Sequence, residues 1–196
     1  MKRTTAGALT LVVAFLASTS VVKAQTAMSS GAQPITYGGG VGISMPLGDF
    51  GDAFGTGFHI QGLVGWQPAN MKNISFRGEL MFHHFGADGF DGHDNIIAVV
   101  PNIIYSFPTQ TSKLKPYLIG GIGLYHSSVS ETVTVGGLGS FSGSSSDTNF
   151  GINVGAGIKY PLSSSRASLY AELRFHDIFT SGSSSSMIPL TVGVMF

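Results

Sequence analysis

The sequence predicts an all-β fold, an eight-stranded antiparallel up-and-down transmembrane β-barrel, and three observations carry that prediction. Charged residues make up only 10% of the chain, against about 25% in an ordinary soluble domain, so something other than water covers much of the surface. After the N-terminal region, no apolar run approaches the roughly 20 residues that a spanning helix needs. A lipid phase admits only helices and closed barrels, because every backbone polar group must find its partner inside the protein. Several segments alternate apolar with polar residues, the period-two pattern of strands whose faces meet different surroundings.

The N-terminus has the order of a secretory signal. Basic Lys2 and Arg3 precede an apolar stretch from Ala6 to Ala17, and Val22-Lys23-Ala24 offers a small residue for cleavage. We therefore expect a signal over Met1 to Ala24, a short segment over 25–34 and a barrel domain over 35–196. The chain has no cysteine, so neither a disulfide framework nor a lipidated cysteine is expected. Without Lys2, Arg3 and Lys23, seven Lys and Arg face ten Asp and Glu, a net charge of −3. With no basic run, nucleic acid is not an expected partner.

The strands follow in order. Ile35 to Ser44 and Gly57 to Trp66 open the series, then Ile74 begins the sharpest alternation. Ile74, Phe76, Leu80 and Phe82 take one face, and Ser75, Arg77, Glu79, Met81 and His83 the other. Two charges so close in sequence cannot both face lipid, so this second face is the lumen. Asn95 to Phe107 and Pro116 to His126 fit the spacing but alternate less clearly, and Pro101 removes a ladder donor, which suggests a bulge. From Phe150, residues Phe150, Ile152, Val154, Ala156, Ile158 and Tyr160 oppose Asn149, Gly151, Asn153, Gly155, Gly157 and Lys159. Leu169, Ala171, Leu173 and Phe175 likewise oppose Tyr170, Glu172, Arg174 and His176. The last strand sets Leu190, Val192, Val194 and Phe196 against Pro189, Thr191, Gly193 and Met195.

Short turns at Gln67 to Asn73, Pro108 to Leu114 and Pro161 to Ala167 would face the periplasm. Longer external loops would span Leu47 to Thr56, Gly86 to Asp94, Ser127 to Thr148 and Asp177 to Met187. The turns hold Lys72, Lys113 and Arg166, whereas the loops hold Asp49, Asp52, Asp88, Asp91, Asp94, Glu131, Asp147 and Asp177, so the outer face should be acidic. Aromatic girdles are expected from Tyr37, Trp66, Tyr105, Phe107, Tyr117 and Tyr160 near the turns and from Phe58, Phe82, Phe85, Phe150 and Phe175 near the loops.

A set of segments resembles the eight-stranded outer-membrane barrels that include the OmpA-like transmembrane domain and the opacity-type porin-like proteins. It comprises Gly38 to Ser44 with Met45-Pro46-Leu47-Gly48-Asp49-Phe50, Asn102 to Phe107, Lys115-Pro116-Tyr117 with Gly121-Ile122-Gly123, and the final Phe196. The resemblance implies the bacterial outer membrane of a Gram-negative cell, with Phe196 as the signal read by the barrel-assembly machinery. It also implies contact with outer-membrane lipids and lipopolysaccharide, and with a surface ligand through the loops.

Five charged residues, Arg77, Glu79, Lys159, Glu172 and Arg174, form the expected lumen network. Barrels of eight strands are just wide enough for side chains to fill, so these charges should pair into a polar plug; a narrow porin-like path through it is the alternative. His59, His83 and His176 would converge near one rim, where imidazoles suit a transition metal, although the spacing matches no local metal motif and polar filling is the plainer reading. Asp88, Asp91 and Asp94 supply oxygen ligands without the series or closing Glu of a calcium loop, so a solvated acidic loop is favoured. His126 with Ser128, and Glu131 or Glu172 as orienting acid, could serve a lipid A-modifying hydrolase, but geometry defines such a triad. The reading is a non-enzymatic barrel, without cofactor, that contributes to envelope integrity and surface interaction. The Gly/Ser-rich stretches Ser127 to Thr148 and Ser181 to Ser186 read as flexible external segments; the alternative is that the third loop extends its strands through Thr132 to Val135, with exposed β-edges that could add a partner strand.

Overall fold

The computed structural model describes residues 35–196 apart from residues 89–90, 110–112, 136–138, 164–165 and 181, and only the backbone of 133–135 and 139–141. The expected signal and the segment 25–34 lie outside the described residues. Eight strands close into one barrel in sequence order: β1 (Thr36–Leu47), β2 (Gly57–Trp66), β3 (Ile74–Gly86), β4 (Asp91–Ser106), β5 (Lys115–Val135), β6 (Gly139–Pro161), β7 (Ser168–Thr180) and β8 (Ser183–Met195). All neighbours are antiparallel, and β8 closes on β1 through Gly38↔Met195 to Leu47↔Ser186.

The alternation read from Ile74, Phe150 and Leu169 is the alternation of the barrel wall. Along β3, Arg77, Glu79, Met81, His83 and Phe85 are buried inside, and the residues between them face out. Val41, Val64, Leu80, Val99, Leu124, Val154 and Leu173 are exposed on the outer wall. That wall is stable only against lipid, since water would meet a continuous apolar belt.

Chain connections depart from the expected rhythm. At the rim carrying Thr36 and Met195, the terminal rim, strands join through residues 67–73, 107–114 and 162–167. At the opposite, distal rim three of the four links are shorter, because the segments expected to be loops continue as strand. The β5–β6 ladder runs unbroken from Lys115↔Lys159 to Val135↔Gly139, so the stretch Ser127 to Thr148 is a hairpin arm rather than a flexible loop. Similarly, β7 and β8 pair out to Thr180↔Ser183. Strands of 21 and 23 residues exceed the roughly 9–11 residues that cross a bilayer, so the arm projects well past the membrane. β7 pairs with β6 only from Phe150↔Phe179 downward, which leaves the outer half of β6 paired to β5 alone.

Pro101 makes no bulge. Its pairing with Gly78 on β3 is in register, and on the other side the ladder lapses between Val99↔Leu124 and Asn102↔Gly121 and resumes without a shift. The missing N–H is thus absorbed by a local gap in hydrogen bonding. The link from β1 to β2 contains a short helix α1 (Asp49–Ala53), entered through Gly48 at φ 58°. This left-handed turn, which glycine adopts freely, swings Phe50 and Phe54 into the distal mouth, where Phe50 meets Phe85 edge-on at 5.1 Å.

The girdle prediction holds for Tyr37, Trp66, Tyr105, Phe107 and Tyr160, and for Phe58, Phe150 and Phe175, all exposed on the outer wall. Phe85 and Tyr117 are corrections: they are 0% and 5% exposed and point inward. Phe85 shares the strand parity of Met81 and His83, which fixes its face whatever its height.

Charged side chains sort by height. All eight side-chain carboxylates outside the barrel centre, Asp49, Asp52, Asp88, Asp91, Asp94, Glu131, Asp147 and Asp177, belong to the distal half. Among the described residues, the five Lys and Arg outside the centre, Lys72, Lys113, Lys115, Lys159 and Arg166, belong to the terminal rim. Neither rim mixes side chains of the two signs.

Candidate functional site

At mid-height four charged side chains close a ring. Glu79 accepts a hydrogen bond from Arg174 Nη1 at 2.7 Å and lies in ion-pair contact with Arg77 Nε at 2.8 Å; Glu172 accepts from Arg77 Nη2 at 2.6 Å and lies in ion-pair contact with Arg174 Nε at 2.8 Å. Each arginine bridges both glutamates, so the ring is neutral. All four side chains are at most 2% exposed. Burying charges is tolerable when opposite charges pair with good geometry and the remaining lone pairs find donors. Tyr117 Oη donates to Glu172 at 2.7 Å, Asn102 Nδ2 to Glu79 at 2.9 Å, and Arg174 Nη2 to Gln61 Oε1 at 3.2 Å. Gln61 in turn donates to Tyr170 Oη at 3.0 Å, and the Tyr170 ring lies 5.9 Å from the Arg77 guanidinium.

Four of the five residues expected in the lumen network form this ring, and Lys159 does not. On β6 it sits directly opposite Lys115, close to the terminal rim. Its parity is that of a lumen residue, as the sequence indicated, but its height places it below the ring.

Above the ring lies the histidine cluster. His59 and His83 are 5.1 Å apart between ring centres, and His83 and His176 are 6.4 Å apart. Ser44 Oγ stands 2.9 Å from His59 Nδ1 and 2.8 Å from His83 Nδ1. One hydroxyl carries one proton, so it donates to one imidazole and accepts N–H from the other: the two rings hold opposite Nδ1 states. His59 Nε2 pairs with Thr191 Oγ1 at 2.9 Å and His176 Nδ1 with Tyr125 Oη at 2.9 Å. The three imidazoles do converge, but their Nδ1 atoms are taken up by hydroxyls, and among the described residues no set of three side chains is arranged to hold a metal. Asp88, Asp91 and Asp94 do not share a loop. Asp91 and Asp94 belong to β4, and Asp94 turns inward to accept from Ser127 Oγ at 2.7 Å.

The hydrolase set does not assemble. His126 is exposed on the outer wall and bonds Thr148 Oγ1 at 2.8 Å, while Glu172 is sealed in the central ring. Strand parity places Glu131 on the face opposite His126 and Ser128. Over the histidines, Phe85, Ile96, Tyr125, Ile178 and Met187 pack with Phe50 and Phe54 into an apolar cap, and Met81 fills the space between it and the ring. No sequence pattern signals this cap directly; Phe50 and Phe54 lie in a connection, where aromatic residues carry no parity.

Fold and lumen together define an integral barrel whose interior is closed at mid-height by the ring and above it by the cap. The chain belongs to the family described as outer membrane protein beta-barrel domain, which it matches over residues 11–196. It is a protein of the bacterial outer membrane. Its fold is similar to that of Neisserial surface protein A, at 22% identity and TM-score 0.61, covering 84% of this chain and 97% of that one. It is also similar to a major outer membrane protein of Thermus thermophilus, at 12% identity and TM-score 0.58, covering 84% and 99%. No curated protein sequence matches the chain.

Proposed function

We propose that the protein is a non-enzymatic, non-conducting anchor in the outer membrane that supports envelope integrity and presents the β5–β6 arm and an acidic distal rim for surface interaction. The observation that carries this reading is the closure of the lumen at two levels, the Arg77–Glu79–Arg174–Glu172 ring and the cap under Phe50 and Phe54. A conducting path would have to break ion contacts and displace packed aromatics together. Interior side chains filling an eight-stranded barrel are what its diameter accommodates.

In this reading the terminal rim faces the periplasm and the distal rim the cell exterior. Phe196 serves as the assembly signal. It is 49% exposed towards lipid, and its backbone exchanges hydrogen bonds with Tyr37 at 2.8 and 3.2 Å while the two rings stack at 5.8 Å. The last residue thereby fastens the β8–β1 seam that completes closure, a suitable place for the barrel-assembly machinery to engage. Outer-membrane lipids and lipopolysaccharide meet the girdled wall, and the acidic rim suits a basic partner or cation-bridged phosphates. Planar-bilayer recording of the purified barrel tests the central claim: no stepwise current is expected, and reproducible unitary events would overturn it.

A further inference from the structure

Below the ring, the terminal rim encloses a cavity of about 390 Å³ whose wall includes Lys72, Arg77, Lys115, Tyr117 and Lys159. No Asp or Glu lines it. Arg77 belongs to the neutral ring, with Nη2 hydrogen-bonded to Glu172 and Nε in ion-pair contact with Glu79, and it closes the cavity from above. The three lysines have no counter-charge, for among the described residues no carboxylate comes within ion-pair distance of any of them. Lys115 and Lys159 are direct cross-strand partners, and like charges so placed repel. A wall that gathers uncompensated lysines and sets two of them directly opposite each other lacks only its anion.

We propose that this cavity is an oxyanion site for a phosphate group, held by Lys159 and Lys115 at the mouth below the Arg77 guanidinium. Phosphate suits it better than a monovalent carboxylate, because several oxygens can engage donors arriving from separate strands, and hydrogen bonds between ionised partners are the strong ones. The other aperture of the barrel, ringed by carboxylates, would repel the same ligand. Two sources carry this chemistry: a dissolved phosphate and the headgroup of an anionic phospholipid in the adjoining leaflet.

The test uses the full barrel refolded into lipid-free dodecyl maltoside, with thermal unfolding followed in sodium phosphate and in sodium chloride of equal ionic strength, and then in mixed micelles with phosphatidylglycerol. Saturable stabilisation beyond the chloride control is expected. Lys159→Gln should weaken it by about tenfold or more, the loss expected for a hydrogen bond to a charged group, with Lys115→Gln acting in the same direction. Without phosphate, Lys159→Gln should melt no lower than the parent, since it relieves repulsion and leaves the ring intact; this separates lost binding from lost folding. Stabilisation by inorganic phosphate assigns the site to a dissolved anion, and stabilisation by phosphatidylglycerol alone assigns it to a headgroup. Stabilisation by neither, by chloride equally, or undiminished in both variants would overturn the proposal.

Discussion

Replacing Glu172 by Gln keeps the volume of the side chain and removes one charge from the central ring. Two donors hydrogen-bond that carboxylate, Arg77 Nη2 at 2.6 Å and Tyr117 Oη at 2.7 Å, and Arg174 Nε stands 2.8 Å away in ion-pair contact. The amide leaves the ring at +1 in a place closed to water, and its NH₂ meets a guanidinium donor where an acceptor stood. Breaking a buried pair from one side costs about 3–5 kcal/mol. With a urea slope of about 2 kcal/mol per molar, the unfolding midpoint should fall by about 1.5–2.5 M. Trp66, the single tryptophan, lies on the outer wall stacked against Phe76 at 5.8 Å, so its emission reports loss of the lipid-facing surface. The companion variant Glu172→Gln/Arg77→Met leaves Arg174 paired with Glu79 and restores neutrality. It should recover at least half of the loss, because replacing a whole buried pair by apolar groups is often neutral or better. A single variant within about 1 kcal/mol of the parent, or a double variant no more stable than the single, would refute the view that charge balance holds the ring.

Two further substitutions probe the seam. A Cβ on Gly193 would come within 2.5 Å of the Tyr170 ring and closer still to the Gly39 carbonyl oxygen, so Gly193→Ala should destabilise by about 1–3 kcal/mol through overpacking, measurable as a lower urea midpoint. Phe196→Ala removes the stack on Tyr37 and leaves the backbone bonds, which should lower stability by only about 0.5–1.5 kcal/mol. Its larger effect should be on the yield of folded barrel in cells, read by heat-dependent migration on gels; unchanged yield would count against the assembly role.

The wall and the ring were legible because lipid imposes a rule that water does not. Arg77, Glu79, Glu172 and Arg174 could not face outward, so parity placed them, and nearly all of their strand neighbours, on the correct side. Height was harder. Parity says nothing about how far along the axis a residue lies, which is why Lys159 was grouped with the ring although its cross-strand partner is Lys115. Phe85 shows the reverse error, for its parity was plain and its nearness to a strand end was given more weight. The β5–β6 arm was hidden by composition: Ser144, Ser145 and Ser146 have little preference for strand, and only the ladder with Ser130, Val129 and Ser128 holds them extended. The cap depends on Gly48 turning the chain, a conformational choice that leaves no periodic trace.

The division of charge between the rims bears on how the chain enters its membrane. In the orientation proposed above, a barrel inserted from the periplasm would carry its distal ends across the hydrocarbon, while the ends next to its termini stayed behind. Among the described residues, every charged side chain that would make the crossing outside the central ring is a carboxylate, and every lysine outside it would stay on the side of entry. Acidic side chains penalise lipid contact less than Lys or Arg, which cost about 2–4 kcal/mol each at the midplane. The polarity of the finished molecule thus doubles as a kinetic instruction: the half that travels is the half whose charges travel more cheaply, and the half that would resist transfer is never asked to move.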